Sequence, residues 1–250
     1  MFEPYGCQNV LVQGVTFKGS PFWTLHPVFC TNVTIQDVTV LPGRSNDDGC
    51  DPDSCTDVLV EGCTFTTDDD NFSLKAGSGA DAVGLQPCEN VVIQNCKAVN
   101  SVWGGFTIGS DTGSVVQNVF VQNCQIGKCD CAFFLKSSSA VGGGVKNVFI
   151  RSCQAGNCGI FFNIGSDYDD AHGPTPPLFT NINLENVSCD AASSIAFQMQ
   201  GDERNPILYV SLSNIAIGTA QSIQSVVNAI FVTSSNVTVG GRQVTIAGLL

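Results

Sequence analysis

The chain has 250 residues, a net charge of −12, 43% hydrophobic residues and only 13% charged ones. Such an acidic balance argues against nucleic acid as a partner, because phosphate binding needs clustered Lys and Arg. Apolar runs are short and none approaches the ~20 residues of a membrane helix. The opening residues Met1 to Tyr5 carry neither the basic nor the apolar stretch of a secretory leader, so none is expected within this chain.

Read from the start, the chain repeats itself. Asn9–Val15, Asn32–Val38, Asp57–Cys63, Asn90–Cys96, Asn118–Cys124, Asn147–Cys153, Asn181–Val187, Tyr209–Ile215 and Asn236–Val239 share one pattern. Their first residues are 23, 25, 33, 28, 29, 34, 28 and 27 positions apart. Each unit alternates apolar and polar residues and then meets a Gly or Asn turn, which is strand patterning. A second strand per repeat is expected at Phe106–Gly109, Phe133–Lys136, Phe161–Ile164 and Ala196–Met199. No stretch holds a helical period, so a parallel β-solenoid with about 28 residues per coil is expected. A propeller blade or a leucine-rich repeat fits the spacing less well.

Asn suits the repeated turn because it tolerates the left-handed backbone region and can bond to the coil above or below. Turn chemistry also accounts for the sequons at Asn32, Asn186 and Asn236. The same register aligns Cys63, Cys96, Cys124 and Cys153 in one column. Packing of free thiols is expected there, since buried Cys behaves as a small hydrophobe. With 13 cysteines in all, disulfides such as Cys50–Cys55, or one at Cys124, stay open as alternatives. Only Cys129 and Cys131 stand close in sequence, without a following His, so no zinc site is expected. A coil begins almost at once, at Asn9. The expectation is that the chain is a fragment lacking N-terminal coils, or that a partner caps that end. The whole chain, 1–250, is expected to form one solenoid domain.

Two polar stretches interrupt the repeat, Ser45–Cys55 and Thr67–Lys75. They lie at comparable places in adjacent coils. Coils in a parallel solenoid stack ~4.8 Å apart, so Asp48, Asp69 and Asp70 are expected to converge. Crowded carboxylates push one another's affinity for protons apart, providing an acid beside a base. That is the equipment of glycosidic hydrolysis. A calcium site or a solvated acidic turn fits the same residues.

An ordered set of motifs then resembles the polygalacturonases, glycoside hydrolase family 28. Ser20–Pro27 is similar to an approach coil of that family. Asn46–Gly49 resembles its Asn-Thr-Asp-Gly motif, followed by Asp51–Cys55. Asp69-Asp70 is similar to its Asp pair, with Lys75 at the family's lysine. Gly104–Ser110, Phe134–Lys136 and Pro176–Ile182 resemble later motifs. The resemblance implies a single-stranded right-handed parallel β-helix and an inverting hydrolase of a pectic polysaccharide, extracellular or cell-wall associated, needing no cofactor or metal. It implies Asp69 as general acid, Asp48 and Asp70 as activators of water ~6.5–9.5 Å away, and Lys136 as the uronate-carboxylate contact. Asn46, Trp103, Phe134 and Tyr168 are further candidates for touching substrate. Three departures stand out: Trp103 replaces the family's His, Phe134 its Arg, and Asp68 the Gly before the Asp pair. A neutral leaving-group sugar, as in rhamnogalacturonan, would suit that apolar wall. A catalytically impaired carbohydrate-binding solenoid is the alternative. Trp103 is either a sugar platform or core filler; His26 and His172 are expected to be structural.

Overall fold

A computed structural model describes residues 1–248. The chain winds as a right-handed parallel β-helix. Among the described residues there is no α-helix, only the two short 3-10 turns Ala80–Ala82 and Tyr168–Asp170. One wall is a ladder of parallel strands: Gln8–Gln13, Thr31–Gln36, Thr56–Glu61, Cys88–Gln94, Val116–Gln122 and Gly144–Arg151, continuing through Leu178–Gln200, Ile207–Val227 and Ala229–Val239. Register is strict, so like residues stack: Val33, Val58, Val91, Val119, Val148, Ile182 and Val210 pair in succession. All seven are buried, and each such side chain stabilises by ~1.5–3 kcal/mol. A second interior column, Phe72, Phe106, Phe133, Phe162 and Phe197, lies behind the wall that carries the polar stretches.

The Asn expectation holds in detail. Asn32, Asn90, Asn118, Asn147 and Asn181 all sit in the left-handed region, with φ between 55° and 57°. Their side-chain amides form a ladder between coils: Asn90 donates to Asp57, Asn118 to Asn90, Asn147 to Asn118 and Asn181 to Asn147, at 2.8–3.2 Å. A second Asn column follows at Asn186, Asn214 and Asn236. Here the repeat assignment needs correction. Val232 pairs with Val210, so Phe231, with φ 57°, and not Asn236, heads the ninth unit. Asn236 instead matches Asn214 at the following turn. Both turns of a coil favour Asn, which let the sequence motif fit one turn late. In the first column Tyr209 and Phe231 replace the amides with stacked rings 4.9 Å apart.

All 13 cysteines are free thiols and only Cys7 is exposed. The disulfides Cys50–Cys55 and any at Cys124 are therefore not formed. Cys63, Cys96, Cys124 and Cys153 do form the expected column. Each thiol donates a long bond to a carbonyl of a neighbouring coil: Ile35, Val60, Ile93 and Val121 respectively.

Asn118 joins two rungs of its ladder. Replacing it with Ala removes both bonds and strains the left-handed turn. Asn118→Ala should cost about 2 kcal/mol and Asn118→Gly about half that, because Gly keeps the turn unstrained. Urea unfolding followed by circular dichroism measures both; equal losses would show that the bonds alone matter.

Candidate active site

Five consecutive coils build the site. The backbone amide of Gly49 donates to Asp70 O, and that of Asn71 to Gly104 O, so the Asp48, Asp70 and Gly104 levels stack directly. Gly49 follows Asp48 for a packing reason: a Cβ there would run into Asn71 O and the Phe65 ring. Asp47, fully buried, ties the two acidic stretches together. Its carboxylate accepts from the amides of Gly43, Asp68 and Asp69. Asp68, which stands where the resemblance expects Gly, meets the neighbouring coil through that contact.

Asp48, Asp69 and Asp70 converge as expected, with one oxygen from each within 4.8 Å of the others. This is tighter than the ~6.5–9.5 Å separation expected between an acid and a water-activating base. The cause is geometric: two of the three are sequence neighbours and the third lies one rung away. Asp70 accepts from the Gly104 amide at 2.7 Å and from Lys136 Nζ at 3.1 Å. Gly104 has no room for a side chain, because an added Cβ would meet Asp70 Oδ1 and Thr107 Oγ1. Asp69 is half-buried and accepts from Asn46 Nδ2 at 3.2 Å.

Burial pushes Asp48 up from the usual carboxylate value to about 7, with Asp70 and Asp69 adding to the rise and Lys75 opposing it. Burial, then Asp70, also raises Asp69. Burial disfavours the charge on Lys136, but Asp70 and Tyr168 outweigh it and hold the ammonium protonated. Lys75 lies 3.5 Å from Asp51 and 3.9 Å from Asp48, with its ammonium 4.2 Å from the centre of the Trp23 ring. The three clustered carboxylates could offer oxygen ligands to a hard cation. Two buried ammonium groups already supply their counter-charge.

The remaining candidates meet in a cleft of about 410 Å³ lined by Asn46, Asp69, Trp103, Phe134, Lys136 and Tyr168. Trp103 is 56% exposed, which removes the core-filler reading. Phe134 and Tyr168 form an aromatic corner, ring centres 6.3 Å apart, and both rings face Lys136 Nζ. His26 is held between Glu3 and Asp53 and against Trp23, a structural position as expected. His172 lies outside the cleft, near Asp202 and Arg204. Sequence reasoning passed over four contributors: Asp47, Asp51, Asn163 and Asp130. Asn163 and Asp130 line the cleft, but they sit inside the long strands Gln154–Gly165 and Gln125–Lys136 and carry no motif. The polar run around Asp51 was the available signal for the other two.

The Glycosyl hydrolases family 28 model matches residues 2–237. A probable polygalacturonase of Vitis vinifera is 28% identical over 228 residues, covering 87% of this chain and 46% of that protein. The hyperthermoactive exopolygalacturonase of Thermotoga maritima superposes with a TM-score of 0.91 at 29% identity, over 98% of this chain and 56% of that one. Polygalacturonase from Erwinia carotovora superposes with a TM-score of 0.78 at 22% identity, a likeness of fold, covering 88% of this chain and 56% of that one. The chain thus spans about half the length of these relatives.

The raised Asp48 value sets a pH dependence of stability. Its protonated form is favoured by folding, so that contribution is complete below pH ~4 and lost as pH rises through about 7. Asp53 works in the opposite sense, because bonds from His26, Ser54 and the Gly77 amide overcome its burial and lower its value. The difference between wild type and Asp48→Asn isolates the first effect. Between pH 4 and 7 the melting temperature of wild type should drop further than that of Asp48→Asn. Parallel curves would remove Asp48 as the titrating group.

Proposed function

This chain belongs to glycosyl hydrolase family 28, and we propose that it hydrolyses α-glycosidic bonds of a pectic polysaccharide by inversion. The convergence of Asp48, Asp69 and Asp70 beside a cleft carries this reading. Its relatives include polygalacturonases by name. A pectic polymer is met outside the cell or in the cell wall, which supports an extracellular or cell-wall site of action.

Asp69 is the general acid. It alone of the three lines the cleft, and its raised affinity for a proton suits donation to the leaving oxygen. Asp70, with Asp48 beside it, orients and deprotonates a water. The short spacing by itself falls nearer the range of enzymes that form a covalent intermediate. Two observations favour direct attack by water. Asp70 spends both oxygens on Gly104 and Lys136, and Asp48 is almost fully buried, so neither is free to reach an anomeric carbon. Lys136 presents the one ammonium on the cleft wall and suits a uronate carboxylate through a charge-assisted contact.

The finer reading concerns the leaving-group sugar. Trp103, Phe134 and Tyr168 offer aromatic faces there, and Asp130 and Asp169 add negative charge to the same cleft. A second uronate would meet repulsion, whereas a neutral deoxyhexose would pack on the rings. Rhamnogalacturonan therefore fits the cleft better than an unbroken polygalacturonate.

Reducing-sugar release from both polymers tests the activity. Asp69→Asn should reduce turnover by about 10³-fold; binding of the polymer without turnover in wild type would leave a carbohydrate-binding solenoid instead. Proton NMR of the first product should show the inverted anomer, and a retained anomer would overturn the direct attack by water. Phe134→Arg should shift preference towards polygalacturonate by about tenfold. An unchanged ratio would sink the aromatic-corner account of specificity.

A further inference from the structure

Behind the cluster lies a charged group that the hydrolysis just described does not use. Asp51 is fully buried, with 0% exposure, on the coil below Lys75 and two residues before Asp53, which pairs with that lysine. Both of its carboxyl oxygens, and Oδ1 of Asp48, are buried and accept no well-formed hydrogen bond, although Lys75 Nζ stands 3.5 Å from Asp51 Oδ1. Three orphaned acceptor atoms at one place are costly unless one of them carries a hydrogen. The two carboxyl groups converge on one ammonium, Asp51 Oδ1 at 3.5 Å and Asp48 Oδ2 at 3.9 Å from Lys75 Nζ, and so stand side by side. Two carboxylates cannot bond to each other; a carboxylic acid and a carboxylate can.

We propose that Asp51 is a positioning residue that keeps a proton on its buried carboxyl, donates it as a hydrogen bond to Asp48, and so favours the ionised form of Asp48 and fixes it beside the reacting water. The charge count agrees. Buried Asp47 is met by three backbone amides, which leaves Asp48, Asp51 and Asp70 buried together with two ammonium groups, Lys75 and Lys136. One proton on Asp51 balances the set. The charged groups facing Asp51 are Asp48 on its own segment and Lys75 and Asp70 on the next coil, with the buried thiol Cys50 adjacent in sequence. On the preceding coil, His26 turns to Glu3 and Asp53 instead. Burial and Asp48 both favour the neutral form of Asp51, and the bond it gives lowers Asp48. No net chemistry occurs at Asp51; its proton stays within the pair through the cycle.

The proposal rests on the hydrolase reading for its purpose, but its proton can be seen without substrate. Infrared spectra of the free protein at pH ~8 should show a protonated-carboxyl band that Asp51→Asn removes, because the pair holds its first proton to high pH. Wild type without that band, or a band that survives in Asp51→Asn, overturns the proposal whatever the protein hydrolyses. Kinetics give the second arm. Asp51→Leu deletes the donor, and the acid limb of the pH–rate profile should move up by about one unit with a loss of about a hundredfold in kcat. Asp51→Asn keeps an N–H donor and should recover at least about tenfold of that loss with the limb near its original place. Equal losses in the two variants, with the limb unmoved, would reduce Asp51 to a structural residue. If Asp51→Leu does not fold, the infrared comparison with Asp51→Asn decides alone.

Discussion

Parallel hydrogen bonding between coils, with residues in strict register, governs this molecule. A rung repeats every ~4.8 Å, so whatever occupies a position in one coil meets its counterpart in the next. Where counterparts are Val or Phe, the result is a continuous core. Where they are Asn, it is an amide ladder that satisfies turns no other side chain would hold as cheaply. Where they are Asp, it is a concentration of charge that a globular fold would have to assemble from distant segments.

That last case explains the site. Asp48 and Asp70 are neighbours for the same reason that Val58 and Val91 are. The backbone brings carboxylates together without regard for their repulsion. Lys75 and Lys136 then make the arrangement tolerable, one on each side of the group. The lysines are buried with the acids, so the field among them is only weakly screened by water. Glycine at positions 49 and 104 completes the design by letting backbone and carboxylate approach where a Cβ would collide.

Much of this was legible in the sequence because a solenoid writes its structure as a period. The Asn and Cys columns, the strand pairs per coil and the meeting of Asp48 with Asp69 and Asp70 all follow from counting residues. What escaped was of two kinds. The ninth repeat was read one turn late, because Asn236 and Phe231 both occupy left-handed turns and only pairing tells them apart. The supporting groups escaped because their roles are defined by contacts across coils. Asp47 reads as one more acid in a run until its carboxylate is seen to gather three amides. The spacing of the carboxyl groups, too, depends on rung geometry rather than on residue type.

The thiol column has a mechanical consequence. Cys63, Cys96, Cys124 and Cys153 reach neighbouring coils through weak S–H bonds to carbonyls and through core packing. No disulfide ties one coil to the next. Pulled along its axis, the chain would pay out one loop at a time, each giving a force peak of similar height. A reductant would leave that sawtooth unchanged.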